Sequence, residues 1–352
     1  MGARREEGGG VAEFAVVIPT SGRRPAYLAA AVDSVIRQDL PAAEIVVVVD
    51  GDDAGLPSAL DDGRVRVLVR PRRGVAAARN AGVAATRSAW LCFLDDDDLW
   101  HPSHLAALDR YLAAHPSCRA LHAGWWTFSA AHRRSAELRA ANLDDCLAAS
   151  EAPCRRAERP GLDTTERGFE LLLARSRVSM ATFTVERTLL EQAGGFPEGC
   201  TSAEDWVAAI QVARYAEWHY VDERFAFVRE HPGRNTRRNP TNDLVAICAL
   251  RDVWEGRGHP WPTERDLASF GLDYRLFVQT GVWRALRRGR LRLAIAVGRE
   301  GAMLLPRRRD RLVTLCPPLA NRVSSDLRWL ARHLTPHRAR APHTARAPHH
   351  AT

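Results

Sequence analysis

Four short apolar runs, separated by stretches of helical or turn character, constrain this chain's fold more than any other feature. Phe14-Ala15-Val16-Val17-Ile18 ends at Pro19, and Ile45-Val46-Val47-Val48-Val49 ends at Asp50-Gly51. Val65-Arg66-Val67-Leu68-Val69 follows, and Trp90-Leu91-Cys92-Phe93-Leu94 runs into Asp95-Asp96-Asp97-Asp98. Runs this apolar and β-branched read as strands buried on both faces. Between the first two, Leu28, Val32, Val35 and Ile36 share one face of a helix over 26–38. A second, Ala-rich helix is predicted over 75–86. Strands alternating with helices imply βαβ crossovers, hence an α/β fold with a mostly parallel central sheet flanked by helices. Such a sheet gathers the strand ends Thr20, Asp50 and Asp95 along one edge, where open α/β folds bind ligands.

Farther on, the pattern predicts a helix over 105–114, strands around 121–128 and 180–185, and an irregular, charged insertion over 130–166. A short helix ends in Gly194-Gly195-Phe196, 206–216 is helical, and 218–221 and 224–228 are extended. The implied organisation is a loose tail over 1–12, a main α/β domain over 13–242, a helical, basic region over 243–333 and a disordered basic tail over 334–352.

At 352 residues, 46% hydrophobic and 26% charged, the chain has the composition of a soluble globular protein rather than a disordered one. Its formal charge is +8, and every one of its 50 basic residues is arginine. Arginine favours flat, bidentate contacts with phosphate or carboxylate, although a coding bias towards Arg and Ala accounts for the same composition. Cysteines at 92, 118, 146, 154, 200, 248 and 316 show no zinc-finger or CxxC spacing and read as reduced thiols of a cytoplasmic protein. No run approaches the roughly 18 apolar residues of a membrane span.

Adjacent carboxylates raise one another's pKa unless a cation or water relieves them, and water is scarce at the end of a buried strand. Carboxylate and phosphate oxygens together form the shell that Mg²⁺ or Mn²⁺ prefers, so Asp95 to Asp98 are candidate metal and diphosphate residues. Asp50, on the same edge, suits a base imide or ribose hydroxyl, with an Asx turn on Gly51 as the competing role. Pro19, Thr20 and Ser21 line the end of the first strand, and Arg79 has the chemistry to face a diphosphate. Glu204-Asp205-Trp206 precedes a helix, where an N-cap competes with a general base at Asp205. Arg229 and His231 follow the last extended run and are candidates for closing the site over phosphates.

Five segments in order resemble the family 2 glycosyltransferases. They are Val16 to Thr20; Glu44 to Gly51; Gly74 with Ala78-Arg79-Asn80-Ala81-Gly82; Phe93 to Pro102; and Gly194-Gly195-Phe196 with Ala203-Glu204-Asp205-Trp206. The resemblance implies a GT-A fold and metal-dependent, inverting transfer of a sugar from a nucleotide-diphosphate donor, with a UDP-sugar favoured, to a hydroxyl acceptor. Thr20, Asp50 and Arg79 would hold the nucleotide, and Asp95 or Asp96 would lie near the ribose. Asp97 would be the principal ligand of Mg²⁺ or Mn²⁺, with Asp95 and His231 as further candidates, and Asp205 would be the base. Val49 stands where the family usually has a second acidic residue, and Asp96 replaces a commonly small one.

Two rival classes fit less well. A sugar nucleotidyltransferase would want a Gly-rich, Arg-containing loop after the first strand, whereas Pro19 to Pro25 holds Gly22 alone. A basic nucleic-acid-binding protein suits the charge, but a buried aspartate cluster repels phosphate backbones and no nucleic-acid motif is present. The interleaved arginines and apolar residues over 274–311 admit two readings. One is an appendage packed on the catalytic domain with an Arg-rich outer face, the other a helix lying on an anionic membrane.

Overall fold

The four apolar runs become adjacent strands in a computed structural model of the chain. It describes residues 11–52, 56–131, 136–150, 163–165, 168–174, 176–198, 200, 202–232, 278 and 281–303. Most of the expected tail over 1–12, most of 243–333, all of 334–352, and Cys154, Cys248 and Cys316 lie outside the described residues.

The strands are β1 (Phe14–Thr20), β2 (Glu44–Asp50), β3 (Val65–Arg70), β4 (Trp90–Phe93), β5 (Leu99–Trp100), β6 (Ala120–Ser129), β7 (Leu138–Arg139), β8 (Thr184–Glu186) and β9 (Trp218–Arg229). They form one sheet in the order β3-β2-β1-β4-β8-β6-β9-β5, with β7 paired to β6. The pairs β1–β2, β1–β4, β2–β3, β6–β7 and β6–β9 are parallel, and β5 and β8 run the other way. The sheet is therefore mostly parallel, and β1, β2 and β4 end on one edge.

Helices cover both faces, and strand periodicity shows how. Val17, Val46, Val48, Leu91 and Phe93 point to the face packed by α2 (Val75–Ala84), α6 (Arg187–Gln192) and α7 (Glu204–Ala213). Their neighbours Val16, Ile18, Ile45, Val47, Val49 and Cys92 point to the face packed by α1 (Pro25–Ile36) and α3 (His104–Ala114). Alternation by two residues on a doubly covered sheet is what makes each strand apolar throughout. Burial pushes the Cys92, Cys118 and Cys146 thiols up to about 12.

α2 lies close on the sheet because Gly82 is at the contact. A Cβ there would sit 2.3 Å from Val17 Cγ1 and 3.2 Å from Val48 Cγ2, both on fixed strands. Gly82→Ala removes a helix penalty of about 1 kcal/mol but overpacks the contact by roughly 1–3 kcal/mol. The overlap should win, and urea denaturation should show a less stable protein. A stabilised variant would mean that the helix–sheet spacing is wrong.

Three local readings change. The strand expected over 180–185 is a 3₁₀ turn (Met180–Thr182) followed by the three-residue β8. The stretch expected to be irregular contains β7 and α4 (Leu143–Ala149), whose Asn142 side chain accepts the Asp145 amide. The runs at 218–221 and 224–228 are one strand, β9, interrupted by a bulge. Its register on β6 jumps from Ala123–Val221 to Gly124–Arg224, so Asp222 and Glu223 break the pattern without ending the strand. A further short helix, α5 (Gly168–Ala174), packs against α7.

Candidate active site

The C-terminal ends of β1, β2 and β4 and the N-terminus of α7 enclose a cleft of about 480 Å³. Pro19, Thr20, Ser21, Asp50, Arg79, all four aspartates from 95 to 98 and Asp205 line it together. Residues up to 186 positions apart in the chain thus meet at the edge that strand order alone singles out.

Asp50 reaches across to the loop that precedes α2. Its two carboxylate oxygens accept the amides of Arg73 (2.7 Å) and Gly74 (2.9 Å), which fixes the loop into α2. Gly74 takes a left-handed φ of 98° there, a conformation favourable to glycine.

The aspartates have four different environments. Asp98 Oδ1 accepts the Arg229 amide at 2.9 Å, and the Asp98 amide donates to Asp95 O, so this residue closes the turn. Asp96, 3% exposed, accepts from the Thr20 hydroxyl at 2.6 Å and from Arg24 Nη2 at 2.5 Å. Burial pushes its pKa up to about 6, against the opposing pull of Arg24 and the Thr20 hydroxyl. Asp97 Oδ2 meets Arg24 Nη1 at 2.5 Å and His231 Nε2 at 2.9 Å, so β9 delivers His231 to the aspartate it was expected to join. Asp95 accepts from Arg79 Nη2 at 2.7 Å.

Arg79 was expected to face a diphosphate. Here it is 2% exposed and directs Nη1 to Glu204 (2.8 Å) and Nη2 to Asp95. Burial disfavours its charge, but Asp95 and Glu204 outweigh this and hold its pKa above the ordinary arginine value. Arg79 thus ties the end of β4 to the start of α7. The adjacent Asn80 donates to Phe196 O and accepts the Phe196 amide, clamping the Gly194-Gly195-Phe196 turn. Two separate sequence motifs are one structural joint.

Arg229 likewise braces rather than closes the site. Its guanidinium lies 4.4 Å from the centroids of both Tyr27 and Phe128, and its side chain donates to Asp97 O and Ala141 O. Burial lowers its pKa from the usual arginine value.

Asp205 occupies the second position of α7, and Ala203, with a left-handed φ of 64°, takes the cap position, so the N-cap reading of this acidic pair does not hold. Asp205 instead accepts the amide of Trp206 at 2.7 Å. Burial and the neighbouring Glu204 push its pKa up to about 7, against the pull of Arg79. A carboxylate poised near neutrality and facing a cleft has the properties of a general base.

Asp95, Asp97 and Asp98 each offer an oxygen within 4.8 Å of the others, a hard donor set suited to Mg²⁺ or Mn²⁺. Sequence reasoning missed Arg24, which bridges Asp96 and Asp97 and supplies their positive charge. Its signal was faint, because it is one arginine among 50.

The comparisons agree with this architecture. The family model described as glycosyl transferase family 2 matches residues 15–123, the stretch that holds β1 to β4 and the aspartate run. Succinoglycan biosynthesis protein ExoO of Rhizobium meliloti (strain 1021) is 39% identical over 79 residues, 21% of this chain and 23% of that protein. The uncharacterized glycosyltransferase EpsJ of Bacillus subtilis (strain 168) is 34% identical over 88 residues, 24% of this chain and 25% of its own length. The matched segments thus span about a quarter of these curated relatives. The crystal structure of S. aureus TarS 1-349 superposes with a TM-score of 0.59 and 15% identity, covering 93% of each chain. The same fragment in complex with UDP-GlcNAc gives 0.57 and 14%, covering 89% of this chain and 92% of that one. At such identities the likeness bears on the fold, which is the expected GT-A arrangement. Residues 15–123 are thus similar to glycosyl transferase family 2, and the chain as a whole shares the fold of the solved neighbours.

Proposed function

We propose that this chain is a metal-dependent inverting glycosyltransferase that moves a sugar from a nucleotide-diphosphate donor, a UDP-sugar, to a hydroxyl acceptor. One observation carries the reading: a base-like carboxylate, Asp205, shares a single cleft with the aspartate run at the end of β4. The family match and the relatives' names support it, and so does a GT-A neighbour crystallised with UDP-GlcNAc.

In this reading Pro19, Thr20, Ser21 and Asp50 line the nucleotide. Asp97 and Asp95, with His231 beside them, would hold Mg²⁺ or Mn²⁺, which when bound neutralises the charge of the leaving diphosphate. Asp205 takes the proton of the acceptor hydroxyl as its oxygen attacks the anomeric carbon, and attack opposite the leaving group inverts that carbon. Arg79 keeps Asp95 and Glu204 in place, and Asp98 with Arg229 keeps the turn. A base titrating near 7 predicts a rate that falls as pH drops below 7, because the protonated carboxyl is far too weak a base to take the acceptor's proton.

Screening nucleotide sugars for metal-dependent hydrolysis tests the donor half directly; no turnover of any UDP-sugar with Mn²⁺ present would sink it. For Asp97→Ala, calorimetric titration with UDP and Mn²⁺ should show at least a tenfold loss of affinity, as expected for loss of a charged ligand contact. An unchanged titration would remove Asp97 from the metal set.

A further inference from the structure

Outside the cleft, the most distinctive surface lies on the C-terminal helices. Residues 281–287 are helical, Gly289 turns with φ 67°, and a second helix runs over Leu291–Met303. Their inner face is anchored: Val282, Ala285, Ala294 and Val297 are buried in the same core as Phe183, Trp206 and Ile210. Gly301 completes the anchor, since a Cβ there would meet Val278 Cγ1 at 2.4 Å. The outer face therefore has a fixed geometry.

That outer face is of two kinds. Its exposed side chains over 281–301 are arginine at 284, 287, 288, 290, 292 and 299, and the large apolar Trp283, Leu291 and Ile295. Glu300, the single acidic residue of the stretch, is half-buried. Trp283 is 43%, Leu291 63% and Ile295 58% exposed, and they make up half of the exposed large hydrophobics among the described residues. A packed appendage with a purely solvated outer face accounts for the arginines but leaves three large apolar side chains in water without return.

We infer that this face binds an anionic phospholipid surface. Guanidinium groups pair with lipid phosphates, Trp283 suits the headgroup boundary, and Leu291 and Ile295, one helical turn apart, reach the acyl region. A soluble polyanion such as RNA would engage the arginines and could stack on Trp283, but has nothing to offer Leu291 or Ile295. Among the described residues no helix is long and apolar enough to cross a membrane, and the attachment inferred for this face is peripheral. The inference does not depend on the donor chemistry proposed above.

Vesicle flotation of the full chain tests it. The protein should float with vesicles of phosphatidylglycerol and phosphatidylcholine, remain behind with phosphatidylcholine alone, and detach as salt is raised. Trp283→Ser/Leu291→Ser/Ile295→Ser should lose roughly tenfold or more in vesicle affinity at an unchanged melting temperature, since three apolar contacts go. Should that triple variant fold poorly, Ile295→Ser alone should give a smaller loss in the same direction. Arg287→Gln/Arg288→Gln/Arg292→Gln should weaken binding and flatten its salt dependence. The inference is overturned if the wild type ignores the anionic vesicles. Wild-type flotation by a folded serine variant also overturns it. So does tight RNA binding that survives the serine changes, which would mark an electrostatic polyanion surface.

Discussion

Asp205→Asn is expected to lower the transfer rate by about 10²- to 10⁴-fold, the usual contribution of a positioned general base. The change is nearly isosteric, and the amide oxygen still accepts the Trp206 N–H that Asp205 holds at 2.7 Å. Fold and nucleotide binding should therefore survive, which separates a chemical role from a structural one. The pH profile adds a second readout. In the wild type, kcat/KM should rise about tenfold per pH unit up to roughly 7 and then level off, because the working form is the deprotonated one and burial has raised its pKa. The asparagine variant should lack that limb. Near-wild-type turnover, or an unchanged acid limb in the variant, would remove Asp205 from the base role.

Arg79→Met should be the most damaging substitution for stability. The side chain is buried, and it is the charge partner of both Asp95 and Glu204. Removing one member of a buried ion pair costs about 3–5 kcal/mol, because Glu204 keeps its desolvation penalty without its partner, whereas Asp95, its side chain 37% exposed, still meets solvent. At roughly 2–4 °C per kcal/mol for a domain of this size, the melting temperature should fall by about 10 °C. A variant melting within 2 °C of wild type at pH 8 would show that the Arg79 network contributes little to the fold.

Much of the sheet was legible because strand burial on two faces writes itself into composition. Nothing but a doubly covered strand needs an unbroken β-branched run such as Ile45 to Val49, and the parallel order follows from the intervening helices. The departures came where that logic weakens. β8 has three residues and β7 two, too few for a period to show. β9 carried Asp222 and Glu223 in a bulge, which looks in one dimension like the end of a strand.

The candidate site divides in the same way. Taken alone, the sequence determined which residues reach the cleft edge: Thr20, Asp50 and Asp95 end strands whose direction the crossovers dictate. It also marked the aspartate run as needing positive charge. Tertiary structure alone decided which positive charge answers which carboxylate. Arg24 holds Asp96 and Asp97, and Arg79 holds Asp95 and Glu204. The reason is physical: local patterns record burial and chain direction, whereas an ion pair depends on the meeting of residues as many as 125 positions apart, as for Arg79 and Glu204. In a chain whose cations are all arginine, no local signal distinguishes a buried clamp from a solvated surface residue. Only packing, by removing water from some guanidinium groups and not others, separates the two.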